Sequence, residues 1–177
     1  MATLRVPDRN VYLTDEHEIR RFLDERGIFY ERWSTDVGLP ADATDDQVLA
    51  AYDLWLEPFM EKGGYRAADV VRVTPATPNL DAIRDKFLRE HTHSEDEVRF
   101  FVEGSGLFWF HAERPEEDVF AVLCREGDLL SVPANTKHWF DLGARPMVRA
   151  IRVFTDQAGW VPHYTHSGIE QRYRWPL

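Results

Sequence analysis

Two kinds of apolar spacing divide the chain near residue 87. Before it, Ile19, Phe22 and Leu23, and then Val48, Ala51, Tyr52, Trp55 and Phe59, recur every three or four positions, the period of a helix with one buried face. Each run has a start signal. Asp15 with Glu18, and Thr44 with Gln47, are spaced as capping boxes, in which each side chain reaches the other's backbone N–H. Gly27 can end the first helix. Pro58 is expected to kink or end the second near Glu57, with Gly63-Gly64 completing the stop. Asn79 is read as the cap of a short helix through Asp85. Short strands are expected at Arg5-Val6, Val11–Leu13, Ile28–Trp33 and Val70–Thr74.

From Phe87 onward the pattern is that of strands: Phe87–His93, Glu97–Glu103, Leu107–His111, Val119–Arg125, Asp128–Val132, Lys137–Leu142 and Met147–Phe154. Gly104, Gly106, Gly127, Pro133, Gly143 and Pro146 punctuate them. Short strands with turn residues at regular spacing predict a mainly β barrel or sandwich. A single domain over 1–177 is expected. Residues 1–86 form a helical and mixed part that packs on a β-barrel core at 87–160.

Composition narrows the function classes. The hydrophobic fraction of 44% and the 13% of aromatics allow a sizeable core in 177 residues. The net charge of −10 argues against nucleic acid or an anionic membrane as partner. The single cysteine, Cys124, excludes an internal disulfide and fits a reducing compartment. It lies in an apolar run and is read as a wall residue, not a nucleophile. Met1–Pro7 lacks an apolar segment of leader length, and no run approaches a membrane span, so a cytoplasmic protein and a monomer are expected.

The chemistry concentrates in Glu90-His91-Thr92-His93-Ser94-Glu95-Asp96-Glu97-Val98-Arg99. Alternation in a strand puts His91 and His93 on one face, and Glu97 and Arg99 share their parity. Two imidazoles and a carboxylate on one wall suit a divalent transition metal. His138, in Pro133–Phe140, is the obvious fourth ligand. An octahedral ion held by these four has two positions left for substrate and water or oxygen. Val98, Phe100 and Val102 face the opposite, apolar side.

The order His91-x-His93, Glu97, Gly104, followed by Gly127, Pro133 and His138, resembles the two motifs of the cupin barrels. Asp85, Asn135 and Leu142 depart from that pattern, though Asn135 can take the left-handed turn that glycine usually supplies. The runs His91–Gly106 and Val132–Gly143, with Arg152-Val153-Phe154 and Gly159-Trp160, resemble the acireductone dioxygenases of methionine salvage. The resemblance implies a cupin fold, one Fe2+ or Ni2+ per chain, and His91, His93, Glu97 and His138 as its ligands. It implies 1,2-dihydroxy-5-(methylthio)pent-1-en-3-one and O2 as substrates. The Fe2+ form would give 4-methylthio-2-oxobutanoate and formate. The Ni2+ form would give 3-(methylthio)propanoate, formate and carbon monoxide.

An enediol that loses its protons is an anionic bidentate oxygen donor, which suits such a site. Arg99, on the ligand face, is expected to hold the substrate anion, against the alternative of an ion pair with Glu97 or Glu103. Asp96 is a candidate base for the second proton, against a solvated turn residue. By parity, Phe87 with His91 and Phe140 with His138 are placed to flank the flat enediolate, and Trp160 to line the methylthio end. His17, His111, His163 and His166 are read as surface or packing residues. The rival readings are another metal-dependent cupin enzyme and a non-catalytic cupin binding module.

Overall fold

The structure, a computed structural model, describes residues 1–114, 117–156 and 160–174. Its organising element is one long strand, β6 (Glu97–Arg114), which belongs to both halves of the sheet system. The first half of β6 pairs with β8 (Asp128–Val132) and β10 (Val148–Phe154), which continue outward to β3 (Phe29–Arg32) and β4 (Ala67–Val73). The second half pairs with β7 (Glu117–Arg125) and β9 (His138–Asp141). Beyond β7 lie β1 (Thr3–Val6) and the edge strand β2 (Val11–Leu13). Beyond β9 lie the two-residue strands β5 (His91–Thr92) and β11 (His163–Tyr164). All these pairings are antiparallel.

The sequence reading took β6 as two strands, because Gly104 and Gly106 look like a turn. Instead β6 runs through them, with a bulge just before: opposite β10 the register shifts between Arg149 and Ala150, leaving Val102 as the extra residue between Phe101 and Glu103. Gly104 has φ 75°, and a Cβ there would lie 1.6 Å from the Met147 carbonyl oxygen. Gly106 lets the Phe140 ring approach to 2.3 Å of where its Cβ would stand. The bulge also switches parity. Phe101 before it and Phe108 and Phe110 after it enter the same central cluster. Val98, Phe100 and Val102 face the other way, as expected, and pack with Val48, Tyr52 and Leu56 of α2 (Asp45–Gly63).

Both helices start where read: Thr44 with Gln47 forms a complete capping box ahead of α2, while ahead of α1 (Glu16–Asp24) the half in which Asp15 accepts from Glu18 N–H is formed. α2 does not end at Pro58 but continues to Gly63, with Gly64 as the expected glycine stop. Proline removes the hydrogen bond to the Leu54 carbonyl, but Leu54 is 77% exposed, so water can take that carbonyl. The third helix, α3 (Leu80–Leu88), runs past Asp85 and takes in Phe87. Phe87 therefore belongs to a helix, and its place beside His91 does not come from strand parity. Asn79 precedes α3 with φ 55° but makes no side-chain cap bond. Cys124 is fully buried in the central cluster, and burial pushes its thiol well up, which fits a wall residue. No described helix is long and apolar enough to cross a membrane.

Candidate metal centre

Three neighbouring strands bring the sequence motifs together. β5 pairs with β9 so that His91 lies opposite His138, and β9 pairs with β6 so that His138 lies opposite Phe110. Glu97 starts β6. The loop before His138 docks on the first motif: Asn135, at φ 63°, donates its N–H to the His93 carbonyl at 2.8 Å. One ligand atom from each of His91, His93, Glu97 and His138 lies within 4.8 Å of the others, and all four residues are buried. Two donors each about 2.1 Å from a shared ion are at most about 4.2 Å apart, so the cluster is only slightly wider than a loaded site.

The hydrogen bonds behind the rings fix their chemistry. Nδ1 of His91 faces the Arg89 carbonyl at 2.6 Å, that of His93 the Val161 carbonyl at 3.3 Å, and that of His138 the Thr136 carbonyl at 2.8 Å. A carbonyl only accepts, so each Nδ1 carries the proton and each Nε2 turns inward. Nε2 of His91 and of His93 are buried with no hydrogen-bond partner. Nε2 of His93 and of His138 each lie 3.1 Å from Glu97 Oε2. Lone pairs at that distance from a carboxylate oxygen repel, unless each ring takes a second proton or a cation stands among them. At His91, burial first and His138 second pull the imidazole down to about 4, which disfavours a second proton on that ring. For Glu97, burial acts to raise the carboxyl, but the Arg99 guanidinium opposes it, and the group is held well below the usual range. The four residues thus fit one divalent cation by donor type, tautomer and charge.

Arg99 is 6% exposed and donates from Nη2 to Glu97 Oε1 at 2.7 Å, the ion pair weighed above as the alternative. Its Nε is buried with no partner, and its guanidinium lies 4.2 Å from the centre of the Phe140 ring. Arg99, Phe87, Phe140 and Arg152 share a cavity of about 140 Å3, otherwise lined mostly by aliphatic side chains such as Val71 and Ile83. Arg152, opposite Arg99 on β10, is held by Asp69 through two bonds of 2.8 and 2.6 Å. Arg152 was not singled out by the sequence as a site residue, because only the cross-strand register places it there. A larger depression of about 460 Å3, lined by Trp33, Trp55 and Phe59, lies between α2 and β3, on the face away from the ligands.

Two further expected residues, Trp160 and Asp96, are held by contacts from distant parts of the chain. The Trp160 ring stacks beside His93 at 6.1 Å and lies 5.9 and 5.5 Å from the Arg99 and Arg152 guanidiniums, and its Nε1 donates to the Asp96 carbonyl at 3.0 Å. Its neighbour Gly159 lies outside the described residues. The Asp96 carboxylate is held on both oxygens, by Ala134 N–H at 2.9 Å and the Tyr65 hydroxyl at 3.0 Å, so it is not a freely solvated turn residue. The Tyr65 contact spans 31 positions, and no local pattern announces it.

The profile of the ARD/ARD' family matches residues 14–162. An acireductone dioxygenase of a Picosynechococcus species is 53% identical over 174 residues, covering 98% of each chain. One from Hahella chejuensis is 48% identical, covering 97% of this chain and 94% of that one. Among solved structures, the acireductone dioxygenase from Bacillus anthracis with a cadmium ion in its active centre superposes with a TM-score of 0.86 at 35% identity. That match covers 93% of this chain and 98% of the other, and the shared fold is the expected cupin barrel. By sequence and by architecture, the chain belongs to the ARD/ARD' family.

Proposed function

We propose that the chain is an acireductone dioxygenase. In this reading His91, His93, Glu97 and His138 hold one divalent ion, Fe2+ or Ni2+, and the substrates are 1,2-dihydroxy-5-(methylthio)pent-1-en-3-one and O2. The observation that carries the reading is the set of inward Nε2 atoms around Glu97, each fixed by a carbonyl behind its ring. When bound, the ion supplies Lewis acidity and a template for an anionic oxygen pair.

The chain's own residues do the rest. Arg99 offers fixed positive charge to the enediolate, and its unpartnered Nε is a donor still to be satisfied. Phe140, stacked against Arg99, and Phe87, from α3, bound the flat part of the substrate. The aliphatic remainder of the 140 Å3 cavity suits the methylthio tail and excludes water from it. Asp96 takes the second proton, its carboxylate held in place by Ala134 and Tyr65. The acidic surface and the single cysteine support a cytoplasmic setting without nucleic-acid partners.

The finer part of the proposal is that metal identity selects the products. Fe2+ gives 4-methylthio-2-oxobutanoate and formate, and Ni2+ gives 3-(methylthio)propanoate, formate and carbon monoxide. Imidazole and carboxylate accept both ions, so the donor set permits either. The test is to strip the protein, load each metal separately, and assay headspace gas and acids from an acireductone under O2. Carbon monoxide from the Ni2+ form alone is expected. Carbon monoxide from neither form, or equally from both, would overturn the selection.

A further inference from the structure

Glu90 is 2% exposed, and its carboxylate has no part in the reaction described above. Burying a carboxylate costs several kcal/mol unless donors surround it. Here they do. Oε1 meets Nδ1 of His111, on β6, at 2.5 Å. Oε2 accepts from the hydroxyl of Ser167 at 2.7 Å and from that of Thr165. The Glu90 carbonyl also takes the Thr165 N–H at 3.1 Å. One side chain therefore ties the link before β5, the long strand β6, and the segment that follows β11.

That segment has work at the metal centre. Val161 supplies the carbonyl behind His93 Nδ1, and Trp160 stacks beside the same ring. Tyr164 pairs with His91 across β5 and β11, and its ring lies 6.2 Å from the His91 ring. Yet β11 is only two residues long, and its strand pairing is with β5, which is also two residues long. Pairing so short does not hold a segment by itself. The next anchor beyond Ser167 with a buried ring is Tyr173, whose ring packs near Trp109 and whose hydroxyl meets Asp8 at 2.5 Å. Trp160 Nε1 on the Asp96 carbonyl and the Tyr164 hydroxyl on the Lys86 carbonyl, at 3.1 Å, also hold the segment, and the Glu90 carboxylate adds a buried acceptor for two of its hydroxyls.

We infer that Glu90 is a positioning residue, a clasp that holds residues 160–167 against the metal centre and so keeps His93 aligned and the ion retained. This rests on the metal assignment proposed above. Residues that orient a ligand from behind typically change metal retention by about 10- to 100-fold when removed. The clasp can be opened from the tail side by the double change Thr165→Ala and Ser167→Ala, which leaves Glu90 paired with His111. Glu90→Gln opens it from the other side. Tyr173→Phe frees the chain end from Asp8 without touching the clasp, and sets the baseline for general loosening.

The experiment uses the full chain loaded with Ni2+. It measures bound Ni2+, its release to excess chelator, and chymotrypsin cleavage at Trp160 and Tyr164. Both clasp variants are expected to load Ni2+, to release it about tenfold faster or more, and to be cut faster. Tyr173→Phe is expected to release it as slowly as the parent chain. Clasp variants that release Ni2+ no faster than Tyr173→Phe would overturn the inference. Faster release without faster cleavage would overturn the route through the tail. A parent chain that takes up no Ni2+ would instead overturn the metal assignment itself.

Discussion

His93 depends on three separate parts of the chain. Its backbone carbonyl receives Asn135, its Nδ1 faces Val161, and its Nε2 lies 3.1 Å from Glu97. His93→Ala is expected to remove most metal binding and activity, because a site of this kind needs each of its ligands. Metal analysis of the purified variant checks this, and full occupancy with full turnover would refute the assignment. Arg99 separates binding from turnover. Arg99→Leu is expected to keep the metal and lower turnover by about 100-fold or more, as expected for a lost charged contact to a developing anion. A similar-sized apolar side chain fills the space, and the ion then compensates Glu97 in place of the guanidinium. Equal metal content with near-parental turnover would reduce Arg99 to a structural partner of Glu97. At this scale much was legible. The clustering of His91, His93, Glu97 and His138 follows from parity and motif order, which are local properties. The Asp96 contacts, the Glu90 clasp and Arg152 were not legible, because their partners lie 21 to 83 positions away. Only folding brings those pairs together.

Among the elements, β6 decides the shape of the site. Its first half presents Glu97 and Arg99 inward, and its second half presents Phe108 and Phe110 to the same interior only because the bulge switches parity. Gly104→Ala tests this. The new Cβ would stand 1.6 Å from the Met147 carbonyl, in a backbone conformation that L residues rarely adopt. A loss of about 3 kcal/mol is expected, hence a fall in melting temperature of roughly 6–12 °C. An unchanged melting temperature would show that the strand can straighten without cost. The glycines were visible in the sequence, but their role was misread. A Gly-x-Gly between two apolar runs reads equally as a turn or as a strand that runs on, and the cross-strand partner decides. The end of α3 was misplaced for a related reason. Phe87 and Leu88 fit a strand as well as a helix when read alone, and the helical turn from Leu80 decides between them. Pro58 misled because proline's effect on a helix depends on whether water reaches the freed carbonyl, which sequence alone does not state.

For the whole molecule, burial of the imidazoles links stability to pH. In the metal-free protein His91 is buried and neutral, pulled down to about 4 from an ordinary 6.5, first by burial. Between those values the unfolded chain binds a proton that the folded chain does not. His91 therefore contributes full stability above about pH 6.5, and that contribution is lost as the pH falls toward 4. The loss approaches about 3 kcal/mol at the acid end. Glu97, held below its usual range, acts with the same sign at lower pH. Urea unfolding of stripped protein at pH 7.5, 6 and 5 should show stability decreasing toward acid, and a flat or rising trend would contradict the burial argument.

The central claim is that one divalent ion in the His91, His93, Glu97 and His138 cluster makes the chain a dioxygenase. The most direct measurement titrates stripped protein with Ni2+ or Fe2+ and follows O2 uptake with an acireductone. No enzymatic uptake is expected without metal, then a linear rise that levels at one ion per chain. Full uptake by the metal-free protein, or none at any metal level, would contradict it.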